Sequence, residues 1–244
     1  SEMCIRDRFK SYNALLAENF NNLDKHNQAK KIYKQMYENG SVYKWYSAKQ
    51  IALIMNKKNE PNSSKFLNQI YKTLDASISE TFDLANFLKS NENYGEAINL
   101  YSNILLEIDQ TNNLYPEVLE RRGMAYERSD KWKLGEKDLI ESLRVKPKEP
   151  YVMNYLAYSW IEKNQNIEKA LKMLREANDL KKNNGYITDS LGWALFKTKN
   201  FSEAKKYLQI AIMLMPRDPV INDHFADCLW MNDNKIQARY YWNN

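Results

Sequence analysis

The feature that most constrains this chain is a spacing. Small or apolar residues recur at Ala17, Ile51, Ala85, Gly123, Ala157, Gly192 and Ala226, at intervals of 34, 34, 38, 34, 35 and 34 residues. A second series, mostly of small residues, keeps phase with it: Ala29, Ser63, Ala97, Gly135, Ala170, Ala204 and Ala238. A bulky residue follows each of these four positions later, at Tyr33, Leu67, Tyr101, Leu139, Leu174, Leu208 and Trp242. A fixed period of this length is the mark of a repeat architecture, in which one supersecondary unit is copied along the chain. Each unit has room for two helices of about 12–14 residues and a turn.

Residue types fit that reading. Leu191, Gly192 and Leu195 share one helical face, and Asn200 to Ala204 turns the chain, with Ser202 placed to cap the second helix. Gly192 and Ala204 have little or no side chain, so paired helices can approach closely. Pro216 and Pro219 stop one helix and start the next, as Pro147 and Pro150 do upstream. One hairpin cannot bury its apolar face alone; stacked neighbours complete the core. The one four-residue slip falls in the polar stretch Asp109 to Pro116, a lengthened turn. Only six Gly and six Pro are present, fewer than a turn-rich β-sandwich or barrel of this length would carry.

The pattern resembles the tetratricopeptide repeat family. The unit Gly185 to Asp218 carries Leu191, Gly192, Leu195, Ala204, Leu208, Ala211 and Pro216 in the places that family uses. The unit Pro116 to Glu149 carries Gly123, Tyr126, Gly135, Leu139 and Pro147, whereas Gln50, Ile51 and Ser63 depart from type. The resemblance implies an all-α fold, a right-handed superhelical solenoid of antiparallel helix pairs. It covers about residues 10–244 as one array of about seven repeats: 10–43, 44–77, 78–111, 116–149, 150–184, 185–218 and a truncated 219–244. Residues 1–9 are set apart as a non-native or disordered leader, since Ser1 to Arg8 shares no pattern with the rest of the chain and reads like a translated sequencing adapter. Both ends of the chain read as truncated.

In that family the first helix of each hairpin lines a concave groove. Carried onto this chain, the resemblance implies a partner-binding surface of Tyr151, Asn154 and Tyr158, then Tyr186, Asp189, Trp193 and Phe196, then Asp223, Asp227 and Trp230. Tyr155 and His224 fall at its edge, and Glu117, Glu120, Met124 and Glu127 continue it upstream. Aromatic anchors suit protein interfaces, and the carboxylates favour a protein or peptide partner with basic or aromatic side chains. The competing reading gives Tyr155, Trp160, Trp193 and Tyr158 to packing between repeats, and Asp189 and Asp223 to the starts of their own helices. The Lys and Asn clamp that some members use to grip a C-terminal carboxylate is absent. Its positions hold Ala14 with Glu18, Ala48 with Ala52, and Phe82 with Asn86.

Charge and chemistry narrow the function. The net charge is +5, from 36 basic and 31 acidic residues, with no dense Lys/Arg block. That reads as a solvated surface rather than a nucleic-acid footprint, and an acidic groove argues against RNA. Cys4 and Cys228 lie far apart, and with His26 and His224 they form no zinc-ligand spacing. His224 with Asp223 and Asp227 is the nearest approach to an acid/base group, but no nucleophile motif, phosphate loop or cofactor fingerprint accompanies it. The expectation is a scaffold that is not an enzyme, with no metal and no cofactor. The alternative is the repeat arm of a larger enzyme such as a glycosyltransferase or protease. No apolar run approaches a membrane span, and no signal peptide is visible. The strings RRGMAYER (121–128), NYLAYSW (154–160), DSLGW (189–193) and DHFAD (223–227) resemble those of bacterial envelope-associated members, which favours a periplasmic or envelope location over the cytoplasm.

Overall fold

The computed structural model describes residues 2–39 and 43–243, with side chains from residue 12 onward. Among the described residues every regular element is a helix. The chain divides into two compact units, Ser1–Ile108 and Asp109–Asn244. Where the sequence suggested one continuous array, this division falls at the lengthened turn that opens at Asp109.

The first unit holds α1 (Glu2–Asn22), α2 (His26–Glu38), α3 (Lys44–Lys57), α4 (Ser63–Tyr71), α5 (Ile78–Ser90) and α6 (Tyr94–Glu107). The second holds α7 (Tyr115–Arg128), α8 (Trp132–Val145), α9 (Pro150–Glu162), α10 (Ile167–Leu180), α11 (Gly185–Lys197), α12 (Phe201–Leu214), α13 (Pro219–Met231) and α14 (Lys235–Trp242). Helix α1 begins inside the stretch set apart as a leader, whose side chains lie outside the described residues. Each odd helix packs on the even helix that follows it, and the hairpins of each unit stack in order. The fold is an all-α helical solenoid.

The small residues are where the helices cross. All members of the first two series are buried. In the α7/α8 hairpin, a Cβ placed on Gly135 would lie 2.6 Å from the carbonyl oxygen of Gly123, so this crossing tolerates no side chain. In α11, a Cβ on Gly192 would meet Leu208 Cγ at 2.7 Å. The bulky series is buried from Tyr33 through Leu208, but Trp242 is 42% exposed and leans on Trp230 with ring centroids 5.5 Å apart.

Hairpin turns share one device. Asp24, Asn59, Glu92, Asp130, Asn164, Lys199 and Asp233 each adopt positive φ. The next residue then sends its N–H back five positions, as from Asn200 to the Leu195 oxygen at 2.8 Å and from Gln165 to the Trp160 oxygen at 2.8 Å. This closes the first helix in the manner of a Schellman motif. Asn and Asp tolerate the left-handed region because their short polar side chains bond locally; Glu92 and Lys199 lack that advantage. The cap of α12 is Asn200, whose side chain accepts from the Glu203 N–H, and not Ser202 as the sequence suggested. Helix α13 opens on Pro219 behind Asp218, which accepts from the N–H groups of Val220 and Ile221. Among the described residues, no helix is long and apolar enough to cross a membrane.

Candidate partner-binding groove

The first helices of the hairpins in the second unit carry the candidate surface. Helical spacing places Glu117, Glu120 and Met124 on one face of α7. It does the same for Tyr151, Asn154 and Tyr158 on α9. These faces meet around a cavity of about 580 Å³. Its wall takes Glu117, Glu120 and Met124 from α7, Tyr151, Asn154 and Tyr155 from α9, and Tyr186 and Ile187 from α11. Six of these were singled out by sequence as groove residues. Glu149 and Lys146, from the connection between α8 and α9, and Arg121 on α7 complete the charged rim.

At this end the side chains are open. Tyr151 is 51% exposed and Tyr186 56% exposed. The carboxamide oxygen of Asn154 is buried and has no hydrogen-bond donor. Arg121 lies 3.5 Å from Glu117 and 3.6 Å from Glu120, and Lys146 lies 2.9 Å from Glu149. The Tyr155 hydroxyl donates to Glu127 at 3.0 Å. Burial, with Glu127 beside it, pushes the Tyr155 hydroxyl far above the ordinary tyrosine value. Tyr155 therefore acts as a neutral donor bridging α9 to α7.

Further along, the same face is closed. Asp189 on α11 is only 5% exposed, and its Oδ2 lies 2.9 Å from His224 Nδ1 on α13. Its other oxygen is buried without a partner. Burial raises the Asp189 pKa, and His224 opposes that shift. The Trp193 ring stacks on His224, 3.9 Å between centroids and 11° from parallel, and on Phe196 at 5.0 Å. Its indole N–H donates to Glu162 Oε1 at 2.7 Å, and Lys197 sits 5.6 Å over the ring. Burial, then Glu162 and Asp189, push Tyr158 up to about 12.

The structure thus separates residues that sequence reasoning placed together. Tyr151, Asn154 and Tyr186 border the cavity, whereas Asp189, Trp193 and Phe196 are held among neighbouring hairpins. His224 pairs with Asp189 and not with Asp223 or Asp227, because residues 189 and 224 occupy adjacent first helices one repeat apart. Asp223 is exposed, while Asp227 is half-buried and accepts from the Trp242 indole at 3.2 Å. Burial first, and Asp223 second, raise the Asp227 pKa. Trp230 is exposed with Lys235 5.5 Å over its ring. Sequence spacing missed Glu149, which lies outside the helix-face pattern.

Comparison with solved structures places the architecture. A tetratricopeptide repeat protein from Parabacteroides merdae superposes with a TM-score of 0.62 at 16% identity, covering 81% of this chain and 77% of that one. The fold is the tetratricopeptide-repeat fold. MamA from Desulfovibrio magneticus RS-1 is similar, with a TM-score of 0.59 at 13% identity over 68% of this chain and 91% of its own. MamA of strain AMB-1 reaches 0.52 at 19% identity over 68% and 88%. No protein-family model and no curated protein sequence matches the chain. Among the described residues no three His, Cys, Asp or Glu side chains gather as metal ligands.

Proposed function

We propose that this protein is a non-catalytic scaffold that receives an extended segment of a protein partner on the first helices of the second unit, in assembly at a bacterial envelope. The observation that carries the reading is the cavity between α7, α9 and α11. It has two half-exposed tyrosines on its wall and an amide acceptor with no internal donor. Half-exposed tyrosines are costly to leave wet and bury large area with little side-chain entropy when a partner covers them. An extended chain brings backbone N–H groups that must find acceptors, and Asn154 supplies one.

Selection of a displayed random-peptide library on the purified chain tests this, with Tyr151→Ala/Tyr186→Ala as the counter-selection. Enriched peptides that fail to bind the double variant support the groove. Peptides that bind both proteins equally, with the variant folded by circular dichroism, remove it. The envelope setting is tested separately by fractionating source cells with an antibody to this chain. Recovery only with the cytoplasm would contradict it.

A further inference from the structure

We infer that the hairpin tips of the first unit form a docking edge for an anionic lipid bilayer. The edge belongs to a different unit from the groove, so the inference goes beyond the proposed function and does not rest on it. Charge, residue type and one bare apolar side chain carry it.

Charge is concentrated here. Residues 25–72 hold ten lysines against Glu38 and Glu60, an excess of eight in a chain whose whole excess is five. Asp24 and Asp83, from outside the stretch, pair with Lys57 and Lys49. Ten cations against these four carboxylates still leave six. The lysines are scattered in sequence, and the fold gathers five of them. Lys25 precedes α2 in the first turn, while Lys57 ends α3 and Lys58 caps it. Lys57 reaches Asp24 at 2.8 Å and Lys58 reaches Asn27 at 2.6 Å, which sets the two tips side by side. Lys30 on α2 binds Glu60, and with Lys58 and Lys34 it holds that carboxyl below the usual range. Five lysines thus meet two carboxylates, Asp24 and Glu60. The third tip, Asn91 to Asn93, adds one carboxylate, Glu92, and no cation, which leaves an excess of two. Among the described residues, Lys25, Lys34 and Lys58 have no carboxylate at ion-pair distance.

The residue types select the partner. No arginine occurs between Lys25 and Lys72. Arginine's planar fork grips single phosphates of a nucleic acid, whereas lysine is a hydrated point charge that answers a diffuse field. An anionic bilayer surface is such a field, and each lysine near it adds about fivefold to partition. Leu23 stands at the first tip, beside Asp24 and Lys25, and is 65% exposed. It finds no apolar partner on a phosphate backbone. The boundary between headgroups and acyl chains takes an apolar side chain while the ammonium groups beside it stay in water.

The test is flotation of the full chain with vesicles of phosphatidylcholine, alone or with about 30% phosphatidylglycerol, at about 0.05 M and about 0.5 M salt. The expected result is binding about tenfold stronger to the anionic vesicles at low salt, lost at high salt. Lys25→Gln/Lys58→Gln should weaken that binding about tenfold. Lys169→Gln/Lys172→Gln, which removes the same charge from exposed lysines of the second unit, should leave it within about twofold. Leu23→Asn, at unchanged charge, should weaken it about threefold. Each variant is checked for native helicity by circular dichroism. Equal binding to both vesicle types, equal losses from the two lysine pairs, or no effect of Leu23→Asn would overturn the inference. A thymidine oligonucleotide bound more tightly than the anionic vesicles would overturn it too.

Discussion

The two ends of the first-helix face in the second unit differ in how far their aromatic side chains are covered, although each end keeps one buried oxygen without a partner, on Asn154 and on Asp189. Around Asn154 the aromatics are open: Tyr151 and Tyr186 are half-exposed. Around His224 they are packed. Asp189 holds the imidazole, Trp193 covers it, and Glu162 holds the indole. Helix spacing is the same in both places, so position on the face does not decide role. What decides it is whether the next hairpin supplies a complementary group at contact distance.

The largest effect should come from placing a lysine at each end. Asp189→Lys leaves His224 unpaired and buries an ammonium, and should cost about 3–5 kcal/mol in urea unfolding. Tyr186→Lys, on the same helix but facing solvent, should stay within about 0.5 kcal/mol. Similar losses for both would erase the distinction between the closed and open ends.

A smaller effect tests the crossing beneath the open end. Gly135→Ala forces a methyl against the Gly123 carbonyl and should cost about 1–3 kcal/mol in thermal melts. Gly95→Ala, where a Cβ meets nothing within 4 Å, should be neutral or slightly stabilising.

Alkaline pH sharpens the comparison further. Tyr158 is pushed up to about 12 in the fold, above the ordinary value near 10. Above pH 10 the unfolded chain releases a proton that the folded chain keeps, so stability falls as pH rises from 10 toward 12. Tyr158→Phe should flatten part of that fall when urea midpoints are compared across this range. An unchanged slope would place Tyr158 in a wetter setting. The smallest effect is expected at Lys199, where positive φ strains a long side chain. Lys199→Gly should raise stability by about 0.5 kcal/mol, read by thermal melts against Asp233→Gly, which should gain less.

The repeat was legible because its cause is local and periodic. Gly135 and Gly192 stand where helices cross, and no larger residue fits, so the interval shows in the letters. The hairpin turns were half legible: Asn and Asp mark five of them, but Glu92 and Lys199 sit at the same backbone geometry without a sequence sign. Asn200 and Ser202 are both good capping types two residues apart, and only the start of α12 at Phe201 chooses between them. At the site, the face was readable from helix spacing, but the Asp189–His224 pair was not. Residues 189 and 224 are 35 positions apart, whereas Asp223 and Asp227 are near neighbours, and sequence proximity favoured the wrong partners. Glu149 escaped because it precedes α9 and belongs to no helical face.

Paired assays on two single variants put the central claim to its most direct test. Unfolding free energy and affinity for a groove-selected peptide are measured for Tyr186→Ala and Trp193→Ala. The account predicts that Tyr186→Ala lowers affinity with stability unchanged. It predicts that Trp193→Ala, which strips the stack from His224, lowers stability by about 3 kcal/mol and leaves the affinity of the folded protein near that of the parent. The reverse pattern, with Trp193 governing affinity and Tyr186 governing stability, would contradict it.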